Sequence, residues 1–225
     1  CLMAVSLLVS LLAVPVGAAS VTKFSDVSDS YTATAIETLR LMGVLDGYGD
    51  GTFRPDTVLN RAQFCKMAVY AMDGSGELGR YSTVTIFPDV KPSHWASAYI
   101  NMASRKGIIS GFADGKFKPG QTVTAGQAVT ILMRGLGYKD EDMGGVWPQS
   151  YMAEAQTNGL LKSTGITSAY AGVTRAQAAK LFMNLFEAKH GKGDVLFSYS
   201  VGKDEVYLTA VDGGKGTMTA GGTEY

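Results

Sequence analysis

The sequence contains little cysteine and little histidine, with two residues of each type among 225. Cys1 begins an apolar N-terminal run, and Cys65 falls on an apolar helical pattern, where a small buried side chain is the favoured interpretation. If the apolar N-terminal run is removed, Cys65 is a lone thiol, and a lone thiol excludes a disulfide-stapled fold. His94 and His190 stand in unrelated contexts and form no metal or catalytic set. We therefore expect no enzyme activity, no cofactor and no bound metal.

The sequence also lacks an excess of charge of either sign, because 20 basic side chains balance 20 acidic ones. A nucleic-acid partner would normally require a basic stripe, so this class is excluded. Any anion that the protein recognises must be bound by a few specifically positioned residues and not by a general positive charge.

Charge is absent from residues 1–19, an apolar run that ends in small residues suited to cleavage after Ala18 or Ala19. This pattern predicts a secretory signal peptide whose start is truncated, since the usual positive leader is missing. An N-terminal membrane anchor is the alternative. After cleavage we expect no stable membrane insertion.

What the sequence does contain is repetition. Residues 45–56, LDGYGDGTFRPD, align without a gap with residues 109–120, ISGFADGKFKPG. Asp46 and Asp56 of the first copy become Ser110 and Gly120 in the second, and the spacing is not that of a calcium loop. The shared Asp-Gly, aromatic and proline positions predict a structural turn.

Helical patterns flank these loops. FSDV at residue 24 and FPDV at residue 87 open two units, and an aromatic residue in each unit precedes a glycine by twelve positions. The pairs are Tyr31 and Gly43, Trp95 and Gly107, and Trp147 and Gly159. This spacing predicts a first helix of about twelve residues that ends at a left-handed glycine.

A second helix closes each unit. NRAQ at residue 60, TAGQ at 124 and TRAQ at 174 place an Asn or Thr three residues before a Gln, which is the capping-box arrangement. The third unit lacks the glycine-aspartate loop.

These patterns predict a mainly α fold in which three helix-loop-helix repeats form a pseudo-threefold, trimer-like bundle, followed by a short β-hairpin-like segment. The predicted hairpin strands are Leu196–Val201 and Val206–Val211. The predicted regions are a signal peptide at 1–19, repeats at 20–73, 86–138 and 144–190, and a linker with the start of a further β-rich region at 191–225.

Arg61 and Arg175 follow helix caps directly, where the helix dipole disfavours a cation. Two interpretations stay open. The free helix amides and the guanidinium form an anion site, or the arginines pair with Asp or Glu of a neighbouring unit. The second unit has Ala125 at this position, so an anion site there should be weak or absent.

Four further residues have a structural and a functional interpretation. Asp26 and Asp89 precede the first helices, where they cap the helix or contact ligand. Trp95 and Trp147 pack into the core or form a stacking platform for a sugar ring.

Together these residues resemble the S-layer homology domain, whose pattern runs F-x-D-V, an aromatic, G-[YF]-x-D-G-x-F-x-P and T-R-A-E. The resemblance covers residues 24–188. It implies a wall-anchoring, non-enzymatic module of an exported protein, which binds an acidic and often pyruvylated secondary polysaccharide attached to peptidoglycan. The ligand would lie in grooves between adjacent units.

The resemblance also implies the roles of the site residues. It gives the anion-binding arginine to Arg61 and Arg175, the opening aspartate to Asp26 and Asp89, the loop glycine to Gly47 and Gly111, and the aromatic to Trp95 and Trp147. Gln63, Gln127 and Gln177 replace the usual Glu, and Tyr31 replaces Trp in the first unit. With Ala125 and the altered third unit, fewer than three working grooves are expected.

Three other functions remain open at this point. The chain is the anchor of a cell-surface enzyme whose catalytic domain lies elsewhere, a structural protein that self-associates in a surface layer, or a calcium-dependent binding module.

Overall fold

The computed structural model describes residues 24–73, 78–186 and 188, together with the backbone of four strands between residues 195 and 224. The predicted signal peptide and His190 lie outside the described residues. The described chain is mainly helical, as the sequence predicts. Its helices are α1 (Ser30–Leu41), α2 (Arg61–Asp73), α3 (Ser97–Arg105), α4 (Ala125–Gly135), α5 (Gln149–Thr157) and α6 (Arg175–Leu185). No helix in these ranges is both long and apolar enough to cross a membrane.

Short 3-10 turns and an antiparallel sheet complete the described structure. The turns are Leu78–Tyr81 and Asp140–Asp142, and the strands are β1 (Val195–Val201), β2 (Asp204–Val211), β3 (Lys215–Ala220) and β4 (Thr223–Glu224). The strands pair with their neighbours in chain order.

The first helix of each unit is followed by a glycine in the left-handed region, which confirms the predicted ends. Gly43, Gly107 and Gly159 have φ of 71°, 72° and 92°. Helix α1 has the predicted 12 residues, but α3 and α5 have 9 each. They are shorter because Trp95 and Trp147 lie in turns ahead of the helices rather than within them.

The three predicted capping boxes are all formed. The side chains of Thr124 and Thr174 accept from the backbone N–H groups three residues later, and Gln127 and Gln177 accept in return. Asn60 and Gln63 make the same reciprocal pair, with both bonds at 2.9 Å. Cap residues of one type at equivalent places therefore start α2, α4 and α6 in the same way.

The helices pack mainly across unit boundaries. Helix α1 packs against α6, α2 against α3, and α4 against α5, so that the first helix of one unit covers the second helix of another. Helix α2 also contacts α4 and α6, and the rings of Phe64 and Phe182 lie 5.1 Å apart. The buried thiol of Cys65 lies in this core, in agreement with its predicted role as a small apolar side chain.

A closed ring of backbone hydrogen bonds joins equivalent positions just before the three second helices. Leu59 donates to Val173 at 2.9 Å, Val173 donates to Val123 at 3.0 Å, and Val123 donates to Leu59 at 3.0 Å. All three side chains are buried. The ring fixes the starts of α2, α4 and α6 relative to one another, and it therefore positions the residues at those helix starts.

The segment between the first two units is partly fixed to the second unit. Its 3-10 turn at Leu78–Tyr81 packs against α3. The side-chain amide of Asn101 donates to the carbonyl oxygens of Tyr81 and Val84 at 3.0 and 2.7 Å.

Candidate functional site

A cavity of about 510 Å³ lies between elements of all three predicted units, and we name it the first groove. Its wall is formed by Arg61, the loop Ser110–Phe112, the inner side of α4, residues 140–145 and Trp147. Three predicted site residues, Arg61, Gly111 and Trp147, thus line one cavity although they belong to three different units.

Arg61 is a buried cation, with 5% of its surface exposed. Its Nε donates to the carbonyl oxygen of Phe117 at 2.8 Å, and its Nη2 donates to that of Ser110 at 3.4 Å. Its guanidinium also lies 4.6 Å from the ring centroid of Phe112. Burial lowers the pKa of Arg61 to about 10, because desolvation disfavours the charged form.

Neither Arg61 nor Arg175 forms an ion pair with a carboxylate in the described part of the chain. The alternative in which these arginines pair with Asp or Glu of a neighbouring unit is therefore wrong for the described residues. Backbone carbonyl dipoles of the neighbouring unit compensate the charge instead. A buried guanidinium held only by neutral acceptors retains a net positive charge toward the cavity.

The predicted contribution of free helix amides is wrong. The N–H groups of Arg61 and Ala62 donate to the carbonyls of Gln121 and Pro119 at 2.8 and 3.0 Å, and the N–H of Gln63 is capped by Asn60. The starts of α4 and α6 are occupied in the same manner by carbonyls of neighbouring units. These amides are occupied because a loop of another predicted unit lies over the start of each second helix. An anion at these helix starts would therefore have to be bound by side chains.

Trp147 is 51% exposed, and its Nε1 donates to the hydroxyl oxygen of Thr130 at 3.0 Å. The hydrogen bond holds the indole in the wall of the first groove, while about half of the residue stays accessible. Trp95 is 54% exposed and stacks on His94, with ring centroids 5.7 Å apart. Both tryptophans are thus exposed side chains rather than core residues, as a stacking platform requires.

Gly47 and Gly111 are required by packing. A Cβ on Gly111 would lie 2.6 Å from Cε1 of Phe87, and one on Gly47 would lie 2.0 Å from Cε1 of Phe24. These phenylalanines open the F-x-D-V segments. The absence of a side chain therefore lets the opening segment close onto the loop, and it keeps the Gly111 backbone at the wall of the first groove.

Asp26 and Asp89 do not cap the first helices. Asp26 accepts hydrogen bonds from the backbone N–H groups of Phe53 and Arg54 at 2.8 and 2.7 Å, and Asp89 accepts from those of Phe117 and Lys118 at 2.9 and 2.7 Å. These backbone donors hold the pKa of Asp26 below its ordinary value. The cap of α1 is Asp29, whose carboxylate lies directly before the helix.

The Asp26 and Asp89 contacts stabilise an unusual backbone conformation. Arg54 and Lys118 have φ of 57° and 59°, in the left-handed region that non-glycine residues rarely adopt. Each aspartate binds the amide of this residue and that of the phenylalanine before it. The two aspartates therefore hold the loop whose carbonyls bind the arginines.

Arg175 occupies the equivalent position over the loop of the first unit, and we name Arg175 with Asp46, Gly47 and Tyr48 the second groove. Its Nε donates to the carbonyl oxygen of Phe53 at 2.8 Å, and its Nη2 donates to that of Asp46 at 2.6 Å. Its guanidinium lies 5.1 Å from the Tyr48 ring centroid. Arg175 thereby lies beside Gly47, and burial lowers its pKa.

The third equivalent position has no arginine. Ala125 is buried, and its N–H donates to the carbonyl of Ala171 at 2.8 Å. Near the same boundary, the Tyr31 hydroxyl donates to Asn184 Oδ1 at 2.6 Å. The side-chain amide of Asn184 donates to the carbonyls of Leu160 and Lys162. These hydrogen bonds involve uncharged groups, and no guanidinium stands at the position of Ala125, so the expectation of a weak or absent site there stays a prediction.

The paired loops are held as turns. Gly51 and Gly115 have φ of 81° and 74°, and Asp50 accepts from the N–H of Thr52 and pairs with Arg54 at 2.9 Å. Asp114 accepts from the N–H of Lys116 and pairs with Lys118 at 3.0 Å. The aspartate oxygens thus bind neighbouring donors in the same loop, and the ranges that the structure describes contain no cluster suited to a metal ion.

Sequence reasoning missed Arg134, Asp140 and Tyr151 in the first groove. Arg134 lies in the last turn of α4, and Asp140 follows in the segment between the second and third units. Arg134 and Asp140 belong to no repeated motif, because the equivalent of Arg134 is Tyr70 in α2 and Asn184 in α6. Tyr151 does repeat Tyr99, but the pattern indicated only a helix face. The three predicted units carry different residues at the position of Arg134, and this difference was the only feature of the sequence that could have indicated it.

Comparison with known proteins agrees with these features. The S-layer homology domain matches residues 23–65 and 86–129. A cell surface protein of Thermoanaerobacter kivui is 37% identical over 166 residues, which are 72% of this chain and 21% of that protein. A middle cell wall protein of Brevibacillus brevis is 32% identical over 69% of this chain and 14% of its own length. A cellulosome-anchoring protein of Acetivibrio thermocellus is 32% identical over half of this chain and 26% of its own length.

The chain thus spans about a quarter or less of these relatives. The domain matches and the relatives place the protein at the cell wall and cell surface. They support the cell-surface anchoring of an exported protein.

Proposed function

We propose that this chain anchors an exported protein non-covalently to the bacterial cell wall by binding an acidic secondary polysaccharide, of which a pyruvylated glycan is the favoured class. The first groove is the main binding site in this proposal. The observation that carries it is Arg61, a buried guanidinium that lines the cavity and whose hydrogen bonds among the described residues go to carbonyl oxygens.

The chemistry of the first groove suits an acidic sugar. The carboxylate of the ligand would approach Arg61, because a charge-assisted bond to a desolvated guanidinium is stronger than one in water. The exposed surface of Trp147 would stack on the sugar ring. Arg175 with Gly47 and Tyr48 supports a second site, for which Trp95 supplies the proposed aromatic. In this proposal Asp26 and Asp89 act through the loop backbone.

We further propose that three repeats, at 20–73, 86–138 and 144–190, form a pseudo-threefold arrangement. The ring of hydrogen bonds among Leu59, Val123 and Val173 supports this arrangement, as does the packing of first helices against second helices of neighbouring units. Grooves between units require such a ring, because each arginine meets the loop of another repeat. The signal peptide at 1–19 and the β-rich region at 191–225 complete the proposed organisation.

The test is co-sedimentation with purified cell-wall sacculi, before and after acid stripping of the secondary polymer. Wild-type protein should pellet with intact sacculi and stay in solution with stripped ones. The Arg61→Ala, Arg175→Ala double variant should fail to pellet with either. Arg105→Ala is the matched control, since it removes an exposed arginine in the last turn of α3, away from the described wall of the first groove.

Binding that survives both stripping and the double substitution would contradict the proposal, because the ligand would then be neither acidic polymer nor bound through these arginines. Thermal unfolding of each variant, measured in parallel, separates a lost ligand contact from a lost fold.

A further inference from the structure

Arg134 is a second cation in the wall of the first groove, and its guanidinium is already paired with a carboxylate of this chain. Its Nε and Nη2 donate to the two carboxylate oxygens of Asp140 at 2.8 and 2.6 Å. Tyr151 donates its hydroxyl to the same carboxylate. This two-bond geometry is the one that an arginine adopts with any carboxylate, including that of a ligand.

Arg134 and Arg61 converge on one residue of the groove wall. Arg134 Nη1 donates to the hydroxyl oxygen of Ser110 at 3.1 Å, and Arg61 Nη2 donates to the carbonyl oxygen of Ser110 at 3.4 Å. Both arginines line the same cavity. Of these two arginines, only Arg134 has a carboxylate partner among the described residues, so the two guanidiniums differ in their availability to an anion.

The second groove lacks this arrangement. Asp46 stands at the loop position of Ser110, and Tyr70, the tenth residue of α2, stands at the position of Arg134 in α4. Tyr70 contacts Tyr99, with ring centroids 5.7 Å apart. The pair of guanidiniums is therefore specific to the first groove, and the change from Asp46 to Ser110 removes a carboxylate from the place where they converge.

Asp140 is placed so that a ligand can displace it. Its side chain is 63% exposed, whereas that of Arg134 is 17% exposed. Asp140 lies on the short connection that continues through Gly144 and Gly145, which also line the cavity. An ion pair with one partner in water contributes little net free energy, so it competes only moderately with a ligand acid.

We infer that Asp140 acts as an internal competitor for the acidic group of the ligand, and that Arg134 is a specificity-determining residue of the first groove. The inference rests on the proposed function, since it takes the ligand to be a carboxylate-bearing sugar. With Asp140 bound to Arg134, the groove offers Arg61 alone to an acid. When Asp140 is displaced, the two guanidiniums at Ser110 bind the acid together.

The experiment is calorimetric titration of the full chain with a methyl glucoside that carries one 4,6-pyruvyl ketal, and with the neutral methyl ester of the same compound. Asp140→Asn should bind the acid about fivefold more tightly than wild type, the order expected when an exposed competing carboxylate is removed. The ester should bind both proteins equally. In the Arg134→Gln, Asp140→Asn double variant the gain should vanish, because it requires the guanidinium.

Other results would overturn the inference. If the role of Asp140 is only to hold the connection between α4 and α5 in place, the Asp140→Asn variant will unfold at a lower temperature. It will then also bind both the acid and the ester more weakly than wild type. If Arg61→Gln abolishes binding of the acid but Asp140→Asn shows no gain, the proposed function stands and this inference fails. If neither wild type nor Asp140→Asn binds the acid, both fail.

Discussion

Arg61 of the first unit donates from Nε to the carbonyl oxygen of Phe117 in the second unit at 2.8 Å. Arg175 makes the same bond, at the same distance, to Phe53 in the first unit. Each arginine therefore joins two units and presents its guanidinium at their boundary. Because each arginine contributes both to the fold and to the proposed site, its variants have to be measured for stability and for binding.

Arg61→Gln should lower the free energy of unfolding by about 1–3 kcal/mol, because buried carbonyl oxygens lose a charged donor. Arg175→Gln should cost less, since its surroundings are more open to water. Urea denaturation of the two variants measures the difference. Equal stability of wild type and Arg61→Gln would show that the contacts with Phe117 and Ser110 do not stabilise the boundary.

Gly111→Ala should lower the free energy of unfolding by about 1–3 kcal/mol, because the added methyl group would overlap the Phe87 ring. Gly49→Ala is the matched control within the equivalent loop, since a Cβ there meets nothing within 4 Å. Thermal unfolding of both variants tests the assignment. A Gly111→Ala protein as stable as Gly49→Ala would mean that the opening segment does not pack as described.

Stability should fall in acid because folded-state contacts stabilise ionised aspartates. The Thr32 hydroxyl and amide, with Lys180, lower the pKa of Asp29 from 3.8 to about 2. Its contribution is therefore fully present above pH 3.8 and is lost as the pH falls toward about 2. Asp29→Asn keeps a capping side chain but cannot titrate, so its free energy of unfolding should decline less over this interval. The free energy of unfolding of both proteins is measured by denaturant titration at pH 5, 4, 3 and 2, on the order of one unit apart. An equal decline in both proteins over this interval would contradict the assignment.

Cys65 should resist alkylation in the folded protein. Burial raises the pKa of its thiol to about 12, so the reactive thiolate is scarce at neutral pH. In a Cys1→Ser chain, iodoacetamide should label Cys65 only in denaturant, at the urea concentration where the helices unfold. Stoichiometric labelling without denaturant would show that the core around α2 is open.

Much of the local structure was predictable, because caps and turns depend on neighbouring residues. The pairing of Asn60 with Gln63 and the left-handed Gly43 follow from short-range patterns, whereas the sequence left the exposure of Trp147 open. The partners of longer-range contacts were not predictable. An apolar helical face does not specify which helix covers it, so the packing of α1 on α6 required the structure.

The candidate site shows the same division. Repetition indicated Arg61, Gly111 and Trp147, and the structure places them on one cavity. Of the two interpretations of Asp26, the helix cap is wrong, and the sequence could not show this because its partners, Phe53 and Arg54, lie far along the chain. The pairing of Arg134 with Asp140 depends on how one connection folds, and no repeated pattern records it.

The most direct test of the central claim uses the tryptophans as reporters, since Trp147 lines the first groove and Trp95 does not. Indole N–H resonances are followed by ¹H–¹⁵N NMR while secondary polymer released from sacculi is added, and Trp95→Phe assigns the two signals. The account predicts that the Trp147 signal shifts with polymer and that Arg61→Gln abolishes the shift. Polymer binding that leaves the Trp147 signal unmoved, or that is unaffected by Arg61→Gln, would contradict it.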